Sequence, residues 1–122
     1  MTVVNEKRIE EIRKEIMNIE AEQVESRRYL NHLKEGEEYA YGFLQHEIRK
    51  VSDEFEVCKD TENPRLRNLV EEKNQLLQNM ANECGEFLYE IENEQKNVNN
   101  QCSEKINELE LEIRELRQTE VL

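Results

Sequence analysis

The chain has 122 residues, of which 38% are charged and 36% hydrophobic, with three Gly, one Pro and no Trp. So little apolar material and so few turn-forming residues argue against a globular enzyme, which needs a core and loops. A net charge of −12, from 17 Lys and Arg against 29 Asp and Glu, repels phosphate and argues against nucleic-acid binding. This composition is also typical of disordered proteins. The periodicity of the apolar residues has to decide between a helical and a disordered chain.

The first predicted element is a helix over about residues 3–58. Its apolar residues recur in alternating steps of three and four, which is typical of a coiled-coil seam. The seam begins with Ile9, Ile12, Ile16 and Ile19 and continues through Leu30, Leu33, Ala40, Leu44 and Val51. Three polar residues interrupt it, at Gln23, Ser26 and Glu37. Either they fix register and partner choice, or another chain completes these layers.

The only break in the helical pattern is a predicted turn at about residues 59–63. Asn63 is a favourable cap for a following helix, and Pro64 suits the first helical position, where no hydrogen-bond donor is needed. The residue before a proline disfavours helical geometry, so the first helix has to end before Asn63. A turn this short makes the two helices antiparallel neighbours.

The second predicted helix covers about residues 64–118 and follows the same spacing rule. Its predicted seam contains Leu66, Val70, Lys73, Leu77, Met80, Cys84, Phe87, Ile91, Val98, Cys102, Ile106 and Leu109. The predicted register pairs Leu44 with Met80, Ala40 with Cys84, Glu37 with Phe87, Phe55 with Val70 and Ser26 with Val98. The fold class is therefore all-α, a long antiparallel two-helix coiled-coil hairpin that forms one domain over residues 1–122.

Further apolar residues flank the seam in the middle of the predicted hairpin, where the polar Glu37 weakens it. They widen the apolar stripe toward that of a helix inside a bundle, and a two-helix rod alone buries little area per residue. We therefore expect a helical partner to complete a bundle there. The predicted partner-binding residues are Tyr39, Tyr41, Phe43, Leu76, Leu88 and Tyr89. The alternative is that these side chains only cover weak layers of the hairpin itself.

The sequence lacks the residue patterns that catalysis or metal binding requires. His32 and His46 lack the Glu-x-x-His spacing of di-iron bundles, and no phosphate-binding glycine loop is present. We therefore predict no enzymatic activity, no cofactor and no metal. Three widely spaced cysteines, at positions 58, 84 and 102, are expected to be reduced, as is usual in cytoplasmic proteins. No signal peptide and no membrane-spanning run are expected.

The chain resembles the LXG-associated α-helical (Lap-type) proteins encoded beside LXG toxins of type VIIb secretion systems. The resemblance rests on a Glu- and Gln-rich first helix and on the segments EEYAYGFLQ at 37–45, EFLYEIEN at 86–93 and INELELEIREL at 106–116. It implies a targeting factor or chaperone that binds the helical N-terminal LXG domain of a toxin, alone or with a second small helical protein. The Tyr-x-x-x-Asp/Glu export signal is not matched, because Asn93 stands four residues after Tyr89.

Two other functions remain open. One is a self-assembling structural coiled coil, a homodimer that forms a four-helix bundle without a client. The other is a flagellar or type III export-stalk protein of the same hairpin shape. The adaptor is expected to be cytoplasmic, with export alongside its partner as the alternative.

Overall fold

The computed structural model describes residues 3–121, which form two α-helices. Helix α1 covers Val3–Cys58 and helix α2 covers Pro64–Val121, and no strand occurs in this part of the chain. The two helices pack against each other as a helical hairpin, so the predicted all-α fold class is confirmed. Helix α2 ends three residues beyond the predicted 118. Residues 1, 2 and 122 of the predicted domain lie outside the described residues.

The turn has the geometry that the sequence predicts. The Oδ1 atom of Asn63 accepts hydrogen bonds from the backbone N–H groups of Arg65 (3.2 Å) and Leu66 (3.4 Å). Asn63 is thus the N-cap of α2, and Pro64 takes the first helical position. At the end of α1, the N–H of Thr61 donates to the carbonyl oxygen of Cys58 at 3.0 Å, which satisfies one of the last free carbonyls.

Contacts divide the chain into two compact units, each with a segment of both helices. The terminal unit combines Met1–Asn31 with Asn93–Leu122, and the turn unit is His32–Glu92. The predicted single domain over residues 1–122 stays a prediction.

Within the terminal unit, Ile9, Ile12 and Leu30 are buried in the seam. Polar side chains also bond across the two helices there. The amide of Gln23 donates to Asn99 at 3.0 Å, and that of Gln95 donates to Asn31 at 2.8 Å. Arg8 donates to Glu112 at 3.0 Å and forms an ion pair with it.

Within the turn unit the buried side chains are those of Leu44, Val51, Val70, Ala81 and Ile91. The predicted pairs Ala40 with Cys84 and Leu44 with Met80 line a common groove, as do Phe55 and Val70 in another. The members of each pair therefore lie near each other across the two helices.

The predicted seam is wrong at Leu66, which is 42% exposed, and in the middle of α2. Met80 and Phe87 are 44% and 45% exposed, whereas Ala81 is buried and Leu88 is half-buried. Consecutive residues differ by about 100° around a helix, so a seam through Ala81 and Leu88 leaves Met80 and Phe87 on its flank. The small side chain of Ala81 is buried, and the larger side chains of Met80 and Phe87 remain outside. Leu88, predicted to bind a partner, thus belongs mostly to the seam.

Candidate functional site

All seven aromatic side chains of the protein lie at its surface. Each is at least 38% exposed, and six of the seven belong to the turn unit. Aromatic side chains usually supply a large share of the area buried in a core or an interface. In this protein they contribute little to the core, so their concentration in one unit marks a candidate interface.

One apolar groove runs between the two helices of the turn unit, and we name it the phenylalanine groove. It encloses about 540 Å³ and is lined by Glu37, Ala40, Phe43, Leu44, Met80, Glu83, Cys84 and Phe87. Phe43 is 57% exposed, so most of its ring remains in contact with water, and the rings of the groove come from both helices. An additional helix laid along the groove would cover apolar atoms of α1 and α2 at once.

A second groove of the turn unit, the tyrosine groove, is more polar. It encloses about 580 Å³ and is lined by Tyr41, Ala81, Asn82, Gly85, Glu86, Tyr89 and Glu90. Tyr41 and Phe43 are two residues apart on α1, and neighbours at that spacing do not face the same side of a helix. The two grooves therefore flank the seam on different sides.

The six predicted partner-binding residues do not form one surface. Phe43 lines the phenylalanine groove, and Tyr41 and Tyr89 line the tyrosine groove. Tyr39 and Leu76 are exposed and lie four residues before Phe43 and Met80, which places them on the same helix faces as the phenylalanine groove.

Sequence reasoning missed Met80 and Phe87 as surface residues. It assigned them to the seam, because steps through 77, 80, 84, 87 and 91 fit the coiled-coil rule as well as steps through 77, 81, 84, 88 and 91. The signal that could have found them is the abundance of apolar residues on this stretch of α2. More of them occur there than a two-helix seam can bury.

The charges around the phenylalanine groove are of one sign. Residues 35–48 and 74–92 contain eight Glu and no Lys or Arg. Glu37 and Glu83 line the groove itself. Among the residues that the structure describes, neither forms an ion pair. The surface is therefore apolar at its centre and acidic at its rim.

The thiol of Cys84 lies in the same groove. Burial raises its pKa, and a hydrogen bond with Glu37 and the negative charges of Glu37 and Glu83 raise it further. The thiolate is the nucleophilic form of cysteine, and here it is disfavoured. Cys84 is therefore a half-buried lining residue of the groove whose protonated thiol is favoured.

Other kinds of site find little support in residues 3–121. No group of three or more His, Cys, Asp or Glu side chains there could hold a metal ion, and neither helix contains a stretch apolar enough to cross a membrane. His32 and His46 are both exposed. No protein-family model, curated protein or solved structure matches the chain.

Proposed function

We propose that the chain is a non-enzymatic adaptor that binds a helix of another protein in the phenylalanine groove of its turn unit. The observation that carries this proposal is the exposure of Phe43, Met80 and Phe87 around one groove between the two helices. Large apolar side chains from two elements, open to water along a common groove, are typical of helix-in-groove recognition.

The energetics favour binding over a role in the free hairpin. Full burial of a Phe or Met side chain is worth about 1.5–3 kcal/mol relative to full exposure, and these three side chains are only about half covered. Much of that free energy is unused in the isolated chain and becomes available when a partner covers the groove. Aromatic residues at the centre of an interface commonly contribute about 2 kcal/mol or more when truncated.

The resemblance to the Lap-type proteins supplies the candidate partner. It is the helical N-terminal domain of an LXG toxin, bound in the cytoplasm and directed to type VII secretion, with or without a second small helical protein. A helical partner of this kind fits a groove that is open along the hairpin seam, because the added helix would complete a three-helix arrangement.

The test compares two aromatic truncations that lie two residues apart. The full chain is co-expressed with the helical N-terminal domain of each LXG protein from the same genome, and complexes are measured by size-exclusion chromatography with light scattering and by titration. Phe43→Ala is expected to weaken the complex at least about tenfold, because its ring lines the phenylalanine groove. Tyr41→Ala removes a ring from the tyrosine groove and is the matched control.

Three results would contradict the proposal. In the first, no complex forms with any of these domains. In the second, Phe43→Ala, verified as folded by circular dichroism, binds as tightly as the unmodified chain. In the third, Tyr41→Ala abolishes binding while Phe43→Ala does not, which would place the partner on the tyrosine groove instead.

A further inference from the structure

We infer that the helix bound in the phenylalanine groove carries Lys or Arg on both flanks of its apolar stripe. This inference rests on the proposed function, and it specifies the chemistry of the partner. It disfavours a second copy of this chain as the principal occupant of the groove.

Charge is unevenly distributed along the two helices. The eight Glu of residues 35–48 and 74–92 have no Lys or Arg among them, although the chain as a whole has 17. The nearest cations lie at the borders of these segments. Lys34 approaches Glu38 at 3.9 Å and Lys50 pairs with Glu47 at 3.3 Å, so two of the eight carboxylates are partly neutralised at the edges.

Two of the remaining carboxylates lie in the groove itself. Glu37 and Glu83 come from different helices and line the groove together with Phe43, Met80 and Phe87. A helix that covers these apolar side chains also removes water from the two carboxylates. Desolvation of a carboxylate is unfavourable unless a cation or another hydrogen-bond donor replaces the lost water.

The acidic rim and the two carboxylates in the groove favour an occupant with positive charge on both flanks. A Lys or Arg on each flank of the partner's stripe would reach Glu37 on one border and Glu83 on the other, while its aliphatic stem covers the apolar edge. This is how flanking charges select partners in coiled coils. A partner with acidic flanks would bring like charges together in a partly dehydrated groove, which is costly.

The same reasoning disfavours self-association through this groove. In a symmetric dimer each copy presents the same surface to the other. Where the two-fold axis passes through this groove, the Glu-only segments of both copies face each other, and neither copy supplies the missing cations from residues 35–48 or 74–92. The acidic rim therefore favours a different protein over a second copy.

The experiment uses the full chain and three fluorescein-labelled helical peptides of about four heptads each. The first has an apolar stripe flanked by Lys, the second has the same stripe flanked by Glu, and the third keeps the Lys residues but has a scrambled stripe. Fluorescence anisotropy is expected to show that the first binds at least about tenfold more tightly than the second at low salt. That ratio should shrink as salt is added, because salt screens exposed charges.

Paired variants test which carboxylates are responsible. Glu37→Gln with Glu83→Gln is expected to remove most of the preference for the Lys-flanked peptide. Glu86→Gln with Glu90→Gln changes the net charge by the same amount, but those residues line the tyrosine groove, so the preference should persist. Phe43→Ala should weaken both stripe-bearing peptides.

Each alternative outcome overturns a different statement. If the Lys- and Glu-flanked peptides bind equally well and Phe43→Ala weakens both, the groove binds helices and the inference about charge is wrong. If neither peptide binds, helix binding in this groove is wrong as well. If the scrambled peptide binds as tightly as the Lys-flanked peptide, the binding reflects general charge attraction and does not involve the apolar groove. A dimer of the free chain that Phe43→Ala dissociates would make a second copy the occupant.

Discussion

The terminal unit and the turn unit contain equal numbers of residues but use them differently. Of the large apolar side chains that are exposed, eleven lie in the turn unit and six in the terminal unit, and the turn unit holds six of the seven aromatic residues. In the terminal unit, the pairs Gln23–Asn99 and Gln95–Asn31 bond across the helices. The turn unit has a cross-helix pair of its own, Lys73 with Glu54 at 3.3 Å, so the two units differ chiefly in how much apolar surface they expose.

The sequence left two explanations open for the polar seam residues: they fix the register, or another chain completes their layers. Gln23 is half-buried and its amide is bonded to Asn99 within the same chain. That bond favours the explanation in which polar residues fix the register of the hairpin. Glu37 differs, because it lines an open groove and contacts the Cys84 thiol. The second explanation, completion by another chain, applies better to Glu37.

If the exposed rings stabilise the free chain as much as its core does, they do not form a surface separate from the core. Leu44 is buried and its neighbour Phe43 is mostly exposed. We expect Leu44→Ala to lower the free energy of unfolding by about 2–4 kcal/mol. Phe43→Ala should change it by no more than about 1 kcal/mol, because more than half of its side chain is already exposed. Urea titrations followed by far-UV circular dichroism measure both, and equal losses would show that Phe43 belongs to the core.

The Asn63 cap offers a change confined to the turn unit. Asn63→Ala removes the acceptor for the N–H groups of Arg65 and Leu66 and is expected to lower stability by about 1 kcal/mol. Asn63→Asp keeps an acceptor and should cost only a few tenths of a kcal/mol. Hydrogen exchange should report faster exchange near the start of α2 in the alanine variant alone. An equal loss in both variants would indicate that the side-chain acceptor is not what stabilises the turn.

The amide pair of the terminal unit should show a smaller effect. Gln23→Ala is expected to cost roughly 0.5–1 kcal/mol, and a double-mutant cycle with Asn99→Ala should give a coupling near 0.5 kcal/mol. Gln75 and Asn79 form a comparable bond of 2.9 Å within α2, and their coupling should be about 0.2–0.5 kcal/mol. If the cross-helix pair shows no coupling, its role in fixing the register is refuted.

The smallest expected effect is the pH dependence that Cys84 contributes. Because the folded chain raises the pKa of this thiol, the folded state holds the proton more tightly than the unfolded state. This difference in pKa makes a contribution to the free energy of unfolding. The contribution is fully present below the ordinary thiol pKa of about 8.5 and is lost as the pH rises through the folded-state pKa.

The measurement is alkylation of Cys84 as a function of pH, followed by mass spectrometry. The midpoint should lie higher in the folded chain than in urea, and Glu37→Gln should move it back toward the value in urea. Coincident midpoints in the folded chain and in urea would contradict the assigned environment.

The sequence predicted the fold well because its strongest signals are local. Asn63 and Pro64 together specify where α2 begins, and the preceding break ends α1 at Cys58, as predicted. The facing pairs follow from the position of the turn, since a short turn leaves little freedom in antiparallel register. Such features depend on neighbouring residues and need no knowledge of side-chain packing.

The candidate site was harder to predict because it depends on how α2 is rotated about its own axis. A shift of the seam by one residue changes which side chains of α2 are exposed. Apolar residues at 76, 77, 80, 81, 84, 87, 88 and 91 satisfy two seams equally well. Only side-chain packing distinguishes the two seams, and in the structure Ala81 is buried whereas Met80 and Phe87 are exposed. The predicted surface consequently combined Tyr41 and Phe43, which line different grooves.

The surface position of every aromatic ring has a consequence for spectroscopy. Near-ultraviolet circular dichroism reports rings held in fixed, asymmetric packing, and this chain has no Trp and no buried Tyr or Phe. The native hairpin should therefore combine a strong helical far-ultraviolet spectrum with an almost empty near-ultraviolet one, a pair of observations normally used to diagnose a molten globule. For this protein a near-ultraviolet signal would report the ordering of its rings by a partner.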